Sequence, residues 1–97
     1  MRYEIILSPE AVEDLKSLSA RIRAKVKDLL EVHLRHEPTK TSKSRIKRLQ
    51  GLRHPEYRLR IDEIRVFYDV KEDRVEILAI ISKSEAREWL EKVGEKI

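Results

Sequence analysis

The stretch Tyr57-Arg58-Leu59-Arg60-Ile61-Asp62-Glu63-Ile64-Arg65-Val66-Phe67-Tyr68-Asp69-Val70 decides the fold. Up to Ile61 apolar and charged residues alternate, so Tyr57, Leu59 and Ile61 share one face of a strand while Arg58 and Arg60 take the other. Asp62-Glu63 has the composition of a tight turn. The alternation then resumes, with Ile64, Val66, Tyr68 and Val70 set against Arg65, Phe67 and Asp69. Two antiparallel strands follow from this pattern. Past a second turn at Lys71-Glu72-Asp73-Arg74, the run Val75 to Ile81 is apolar enough to be a well-buried third strand.

Working upstream, Tyr3, Ile5 and Leu7 recur at period two and predict a short strand that stops at Ser8-Pro9-Glu10. Ser8 can accept a hydrogen bond from a free N–H of a first helical turn, where Pro9 loses nothing by lacking its own, and Glu10 and Glu13 suit the positive helix end. The helix would bury Ala11, Val12, Leu15 and Leu18. After a break near Ser19, Ile22, Val26, Leu29, Leu30 and His33 form one stripe of a second helix, which Pro38 ends. Asp14, Asp28 and the helix glutamates read as solvated faces. Residues 38 to 45 read as a polar, mobile loop. Downstream, Ser82-Lys83-Ser84-Glu85 has capping-box spacing for a last helix carrying Ala86, Trp89, Leu90 and Val93. The expected order is β-α-α-β-β-β-α in a single domain, residues 1–97. It is an α+β fold: a small, mainly antiparallel four-stranded sheet with the N-terminal helical hairpin on one face and a short C-terminal helix.

Charge is unevenly placed. The chain carries 22 Lys plus Arg against 18 Asp plus Glu, a net +4. Between Lys40 and Arg60 stand eight basic residues and one acid, a local +7 that leaves −3 for the remainder. A weakly acidic body with a basic middle segment is the footprint of a protein that meets phosphates or an acidic partner. There is no cysteine, which excludes disulfides and thiolate chemistry and fits a reducing compartment. The longest apolar run, Ile77 to Ile81, is far short of the roughly 20 residues a membrane helix needs, and the N-terminus lacks a signal-peptide core, so a soluble, cytoplasmic protein is expected. Two glycines cannot build a phosphate loop, and His33, His36 and His54 lack metal-ligand spacing. Neither a metal nor a cofactor is expected.

The period-two arithmetic supplies the candidate site. Arg58, Arg60 and Arg65 lie on adjacent strands and on one solvent-facing surface, where their guanidinium groups can converge. Three such cations repel unless an anion joins them, and phosphate suits their planar, bidentate donors. Two alternatives are solvated alternation and pairing with Asp62, Glu63 or Asp69. Lys40, Lys43, Arg45, Lys47, Arg48 and Arg53 are candidates to hold a nucleic-acid backbone. Trp89 reads as a core anchor.

Leu49-Gln50-Gly51-Leu52, Tyr57-Arg58-Leu59-Arg60 and Ile64-Arg65-Val66-Phe67-Tyr68-Asp69-Val70 together resemble the core pattern of RelE/ParE-superfamily toxins of type II toxin–antitoxin systems. The pairing of Tyr-Arg-x-Arg with Arg-Val-x-Tyr is more similar to the RelE branch, which cuts messenger RNA on the ribosome, than to the ParE branch, which poisons DNA gyrase. The resemblance implies that Arg58 and Arg60 match the paired basic residues of the family's second strand and that Arg65 matches its phosphate-contacting arginine. RelE-type enzymes often add an arginine after the final strand and a tyrosine or histidine beyond it. Ser82 to Leu90 holds neither Tyr nor His, so the resemblance assigns no proton donor here. Lys83 and Arg87 are the cations available in that stretch, with Lys83 the candidate base.

What the resemblance implies for function is a metal-independent endoribonuclease cleaving messenger RNA on the translating ribosome, with a cognate antitoxin encoded alongside and operator DNA bound through that antitoxin. The rival classes are a gyrase inhibitor and a catalytically inactive RNA- or antitoxin-binding module.

Overall fold

Ser8 turns the chain from strand to helix with one hydroxyl. Its Oγ accepts from the Ala11 N–H at 3.1 Å and donates to the Leu78 carbonyl at 3.1 Å, so one side chain both caps the helix and ties it to the sheet. A computed structural model describes residues 1–97. Strand β1 (Glu4–Leu7) leads into α1 (Pro9–Ser17) and α2 (Ala20–Leu34), the second capped by Ser19, whose Oγ accepts from the Ile22 N–H at 3.4 Å. Then follow β2 (Ile46–Arg48), β3 (Leu52–His54), β4 (Tyr57–Ile61), β5 (Ile64–Lys71), β6 (Arg74–Ser82), α3 (Lys83–Val93) and β7 (Glu95–Lys96).

The α+β class and the two helices of the hairpin agree with expectation, although Ile22 of the expected stripe is exposed and Leu34 takes a core place instead, and the sheet is larger than expected. It has five strands in the order β1-β6-β5-β4-β2, antiparallel throughout except where β1 runs parallel to β6. The added strand, β2, is three residues long and too short for periodicity to reveal. A separate two-stranded ladder joins β3 to β7. Helix α2 ends at Leu34, ahead of Pro38, whose carbonyl is instead taken by the Tyr68 hydroxyl at 2.7 Å.

Both helices lie on one side of the sheet. Ala11 and Leu15 of α1 and Val26, Leu30 and Leu34 of α2 pack with Leu59, Ile61, Val66, Tyr68, Val75, Ile77 and Ile80. Each fully buried Leu or Ile side chain here contributes about 1.5–3 kcal/mol relative to exposure. That Val75, Ile77 and Ile80 share a face breaks strict alternation, and a β-bulge explains it: Phe67 stands opposite Ala79 and Tyr68 opposite Ile77, leaving Leu78 as the extra residue. Asp14, read above as solvated, is half-buried and accepts from the Ile80 N–H at 2.9 Å. Helix α1 therefore holds the bulge from both ends, through Ser8 and Asp14. Beyond it, Ala79 and Ile81 turn to the opposite face, the one that carries the arginines.

No helix is long and apolar enough to cross a membrane.

Candidate nucleic-acid interface

Register places the cations. Residues directly opposite one another on neighbouring antiparallel strands point to the same face. Arg60 lies opposite Arg65, and Arg58 lies opposite Phe67 on one side and Lys47 on the other. Lys47, Arg58, Arg60 and Arg65 thus occupy one surface, on the side of the sheet away from α1 and α2. Pattern reading found three of these together and left Lys47 apart in the basic segment, because nothing in a three-residue strand announces its partner.

None of the four pairs with a carboxylate. Of the three acids considered as partners, Asp62 is committed to Lys25 of α2, which holds its carboxyl below the usual range, and Asp69 to His54 at 3.0 Å, while Glu63 forms no ion pair and acts on Arg65 only as a nearby charge. Arg58 is half-buried, and its Nε is enclosed without a hydrogen-bond partner. Its guanidinium is held below the ordinary arginine range, first by burial and then by Arg65 and Arg60. Arg65 is lowered by burial and by Arg60, with Glu63 opposing. A cluster of like charges that is partly dehydrated and lacks a counter-ion is poised for an external anion.

Arg65 departs from the expectation that all three arginines sit at the solvent surface. It is only 6% exposed, and its Nη1 donates to the carbonyls of Asp62 at 2.8 Å and Ile64 at 3.0 Å. The β4–β5 turn presents the first of these carbonyls because Asp62 adopts φ 51°, in the left-handed region that Asp tolerates better than most residues. Arg65 is therefore an anchored cation beneath Arg60, while Arg58 and Arg60 offer the more accessible donors.

Lys83 opens α3 at the same end of the sheet. Its N–H donates to the Glu63 carbonyl at 2.7 Å, and the preceding Ser82 stands opposite Ile64, one position from Arg65. The expected capping box is altered: Ser82 Oγ makes no bond to the helix backbone and donates to Glu85 Oε1 at 2.7 Å. Trp89 of the same helix stacks on Phe67 with ring centroids 5.0 Å apart, so α3 rests on the arginine-bearing face beside Arg58.

The remaining basic residues disperse. Arg45 sends Nη1 to the Arg60 carbonyl at 3.1 Å, along the edge of the cluster. Lys40 pairs with Glu37 at 3.6 Å. Lys43, Arg53 and Arg87 are exposed and away from any ion pair. Arg48 turns to the helical side: its guanidinium lies 5.5 Å over the Tyr57 ring, and Nη1 donates to the Leu49 and Glu56 carbonyls at 3.0 and 2.8 Å. There it tethers the β3 connection. Tyr57 also faces the helices, stacked on Tyr68 at 5.5 Å.

One feature escaped pattern reading altogether. Asp69 is buried, its Oδ2 3.0 Å from His54 Nδ1 and its Oδ1 accepting from the Glu56 N–H at 2.8 Å. Burial raises its carboxyl above the usual range, outweighing the lowering effects of the Glu56 N–H and His54. Fifteen residues separate the two partners, and no local spacing signals the contact.

Solved structures share this fold. The chain is similar to RelE in the RelB–RelE antitoxin–toxin complex of Methanococcus jannaschii, with TM-score 0.68 and 21% identity over 87% of this chain and 96% of that one. It is similar to the archaeal RelE–RelB complex of Pyrococcus horikoshii, with TM-score 0.61 and 27% identity over 86% and 97%. A free Escherichia coli RelE variant gives TM-score 0.71 at 17% identity over 96% and 99%. A search of curated protein sequences finds no match. Residues 5–87 match the family model described as the ParE toxin of the type II toxin–antitoxin system parDE. The chain therefore belongs to the ParE toxin family, within the RelE/ParE superfamily of type II toxins.

Proposed function

We propose that this toxin is an endoribonuclease that cuts messenger RNA on the translating ribosome. The observation that carries the reading is the set of four cations, Lys47, Arg58, Arg60 and Arg65, gathered on one face without a carboxylate among them. In the proposed reaction the RNA 2′-hydroxyl attacks the adjacent 3′-phosphate. The 5′-oxygen leaves, giving a 2′,3′-cyclic phosphate and a 5′-hydroxyl. Arg58 and Arg60 would stabilise the charge developing on the phosphorane, with Arg65 fixed beneath them, so no metal is required. Removing one such preorganised donor commonly costs about 2.7–4 kcal/mol of barrier, or roughly a hundred- to thousandfold in rate. Lys83 is the candidate proton acceptor from its place beside the turn, with Arg87 a further cation on α3. Lys40, Lys43, Arg45 and Arg53 would contact RNA backbone.

A cognate antitoxin, encoded beside the toxin, would cover the arginine face and supply acids to it. The solved antitoxin–toxin complexes of similar proteins support such a partner. Contacts to operator DNA would come from the antitoxin, and the pair would act in the cytoplasm.

The family match itself favours a second reading, a gyrase inhibitor of ParE type. Products separate the two: induced expression yields either RNA with new 5′-hydroxyl ends or broken DNA held on the topoisomerase. The double change Arg58→Ala, Arg60→Ala, which spares the buried Arg65, is expected to relieve growth arrest and message cleavage in a folded, soluble protein. Undiminished cleavage would remove this site from the mechanism.

A further inference from the structure

Helix α3 buries none of its residues, yet it lies against the sheet. Beyond the Lys83 N–H that ties its start to the Glu63 carbonyl, three contacts hold the C-terminal segment. Trp89 stacks on Phe67, with the ring planes 18° apart. Strand β7 pairs with β3, Leu52 opposite Lys96 and His54 opposite Glu95, and the Ile97 N–H donates to the Gly51 carbonyl at 3.2 Å. Gly94 makes the passage between helix and strand so tight that a Cβ there would lie 2.5 Å from the Leu90 carbonyl oxygen. The third contact is His54. Its Nδ1 lies 3.0 Å from Asp69 of β5 and its Nε2 3.8 Å from Glu95 of β7, so the imidazole bridges the sheet and the end of the chain.

The chemistry of this bridge depends on one proton. Asp69 belongs to a wider network: Oδ1 takes the Glu56 N–H, and Glu56 Oε1 takes the Val70 N–H at 2.9 Å. An ionised carboxylate at Nδ1 can only accept, so a neutral imidazole keeps its hydrogen there and turns a lone pair toward the Glu95 carboxylate. A charged imidazole donates to Asp69 at 3.0 Å and sets a positive charge against Glu95, 3.8 Å away. The other charged groups of this cavity, Lys71 and Glu76, face each other at 3.6 Å, and Arg74 also reaches Glu76 at 3.6 Å, so that acid is already matched.

We propose that residues 83 to 97 form a strap whose grip on the sheet is set by the protonation of His54, tight when the imidazole is charged and looser when it is neutral. Loosening uncovers Phe67, which is 1% exposed and stands opposite Arg58. The proton state of one histidine thereby sets how much of the arginine-bearing face is open, whatever that face binds.

Amide hydrogen exchange on the intact chain between pH 5 and 8, corrected for intrinsic exchange, tests this directly. Protection at Gly94 and Ile97 should fall about two- to fivefold as pH rises, the scale of partly exposed ion pairs. His54→Gln, which retains a donor toward Asp69 but does not titrate, should flatten the profile. His33→Gln and His36→Gln should leave it unchanged. Should His54→Gln fail to fold, Glu95→Gln at an exposed position provides the second reading and must shrink the amplitude. Wild-type protection that is flat with pH, or an unchanged profile in His54→Gln or Glu95→Gln, overturns the proposal.

Discussion

Arg60 and Arg65 face each other directly across the β4–β5 ladder, and neither has a carboxylate within ion-pairing distance. Like charges in directly opposed positions destabilise a sheet by about 0.2–1 kcal/mol. The fold retains the pair, and Asp62 and Ile64 spend two carbonyls holding Arg65 in place.

Arg60→Gln is therefore expected to raise stability while lowering activity. Thermal unfolding at low salt should show a gain of about 0.2–1 kcal/mol that shrinks toward zero at high ionic strength. Cleavage of ribosome-bound message by the same variant should drop roughly a hundredfold or more. Equal or lower stability at low salt would mean that an unseen acid relieves the repulsion.

Tyr68→Phe tests the loop that leads into β2. The Tyr68 ring is fully buried, its hydroxyl donates to the Pro38 carbonyl at 2.7 Å, and burial holds that hydroxyl far toward its neutral form. Losing the hydroxyl leaves a buried carbonyl unpaired, at a cost of about 1–3 kcal/mol in denaturant unfolding. A loss below about 0.5 kcal/mol would show that water replaces the bond.

Asp69 predicts a particular pH dependence. Burial raises its carboxyl above the unfolded-state value, so the native state binds this proton more tightly than the unfolded chain does. The stability it contributes is complete below the ordinary aspartate range and is lost as pH climbs through the raised native value. Asp69→Asn keeps an acceptor for the Glu56 N–H and removes the titration. Its unfolding free energy should therefore fall less than that of the wild type between pH 4 and the upper end of Asp69's native titration. A steeper decline in the variant would reverse the assigned sign.

Lys47 belongs to the arginine face by register alone, and salt dependence can establish whether it acts there. With about four phosphates neutralised and a single-strand slope near −0.7 per contact, raising salt from about 50 to 200 mM should weaken RNA binding roughly fiftyfold. Lys47→Ala should reduce that slope by about one contact. Arg48→Ala, on the helical side, should leave the slope unchanged.

The alternation from Tyr57 to Val70, the Ser8 and Ser19 helix starts and the apolar run of β6 were enough to establish the α+β class, the helical layer and the joint placement of Arg58, Arg60 and Arg65 on one face. These are local properties: period, capping chemistry and turn composition act within a few residues and leave their mark in the order of the chain. Tertiary structure alone decided the rest. Lys47 joined the site because β2 pairs with β4, Arg65 was buried because the Asp62 turn offered a carbonyl, and Asp14 reached the backbone of β6 from a helix 66 residues away in sequence. The His54 clip needs Asp69 and Glu95, brought together by three separate strands. Such contacts form where distant segments happen to pack, and their energy depends on burial and register, neither of which has a period to read.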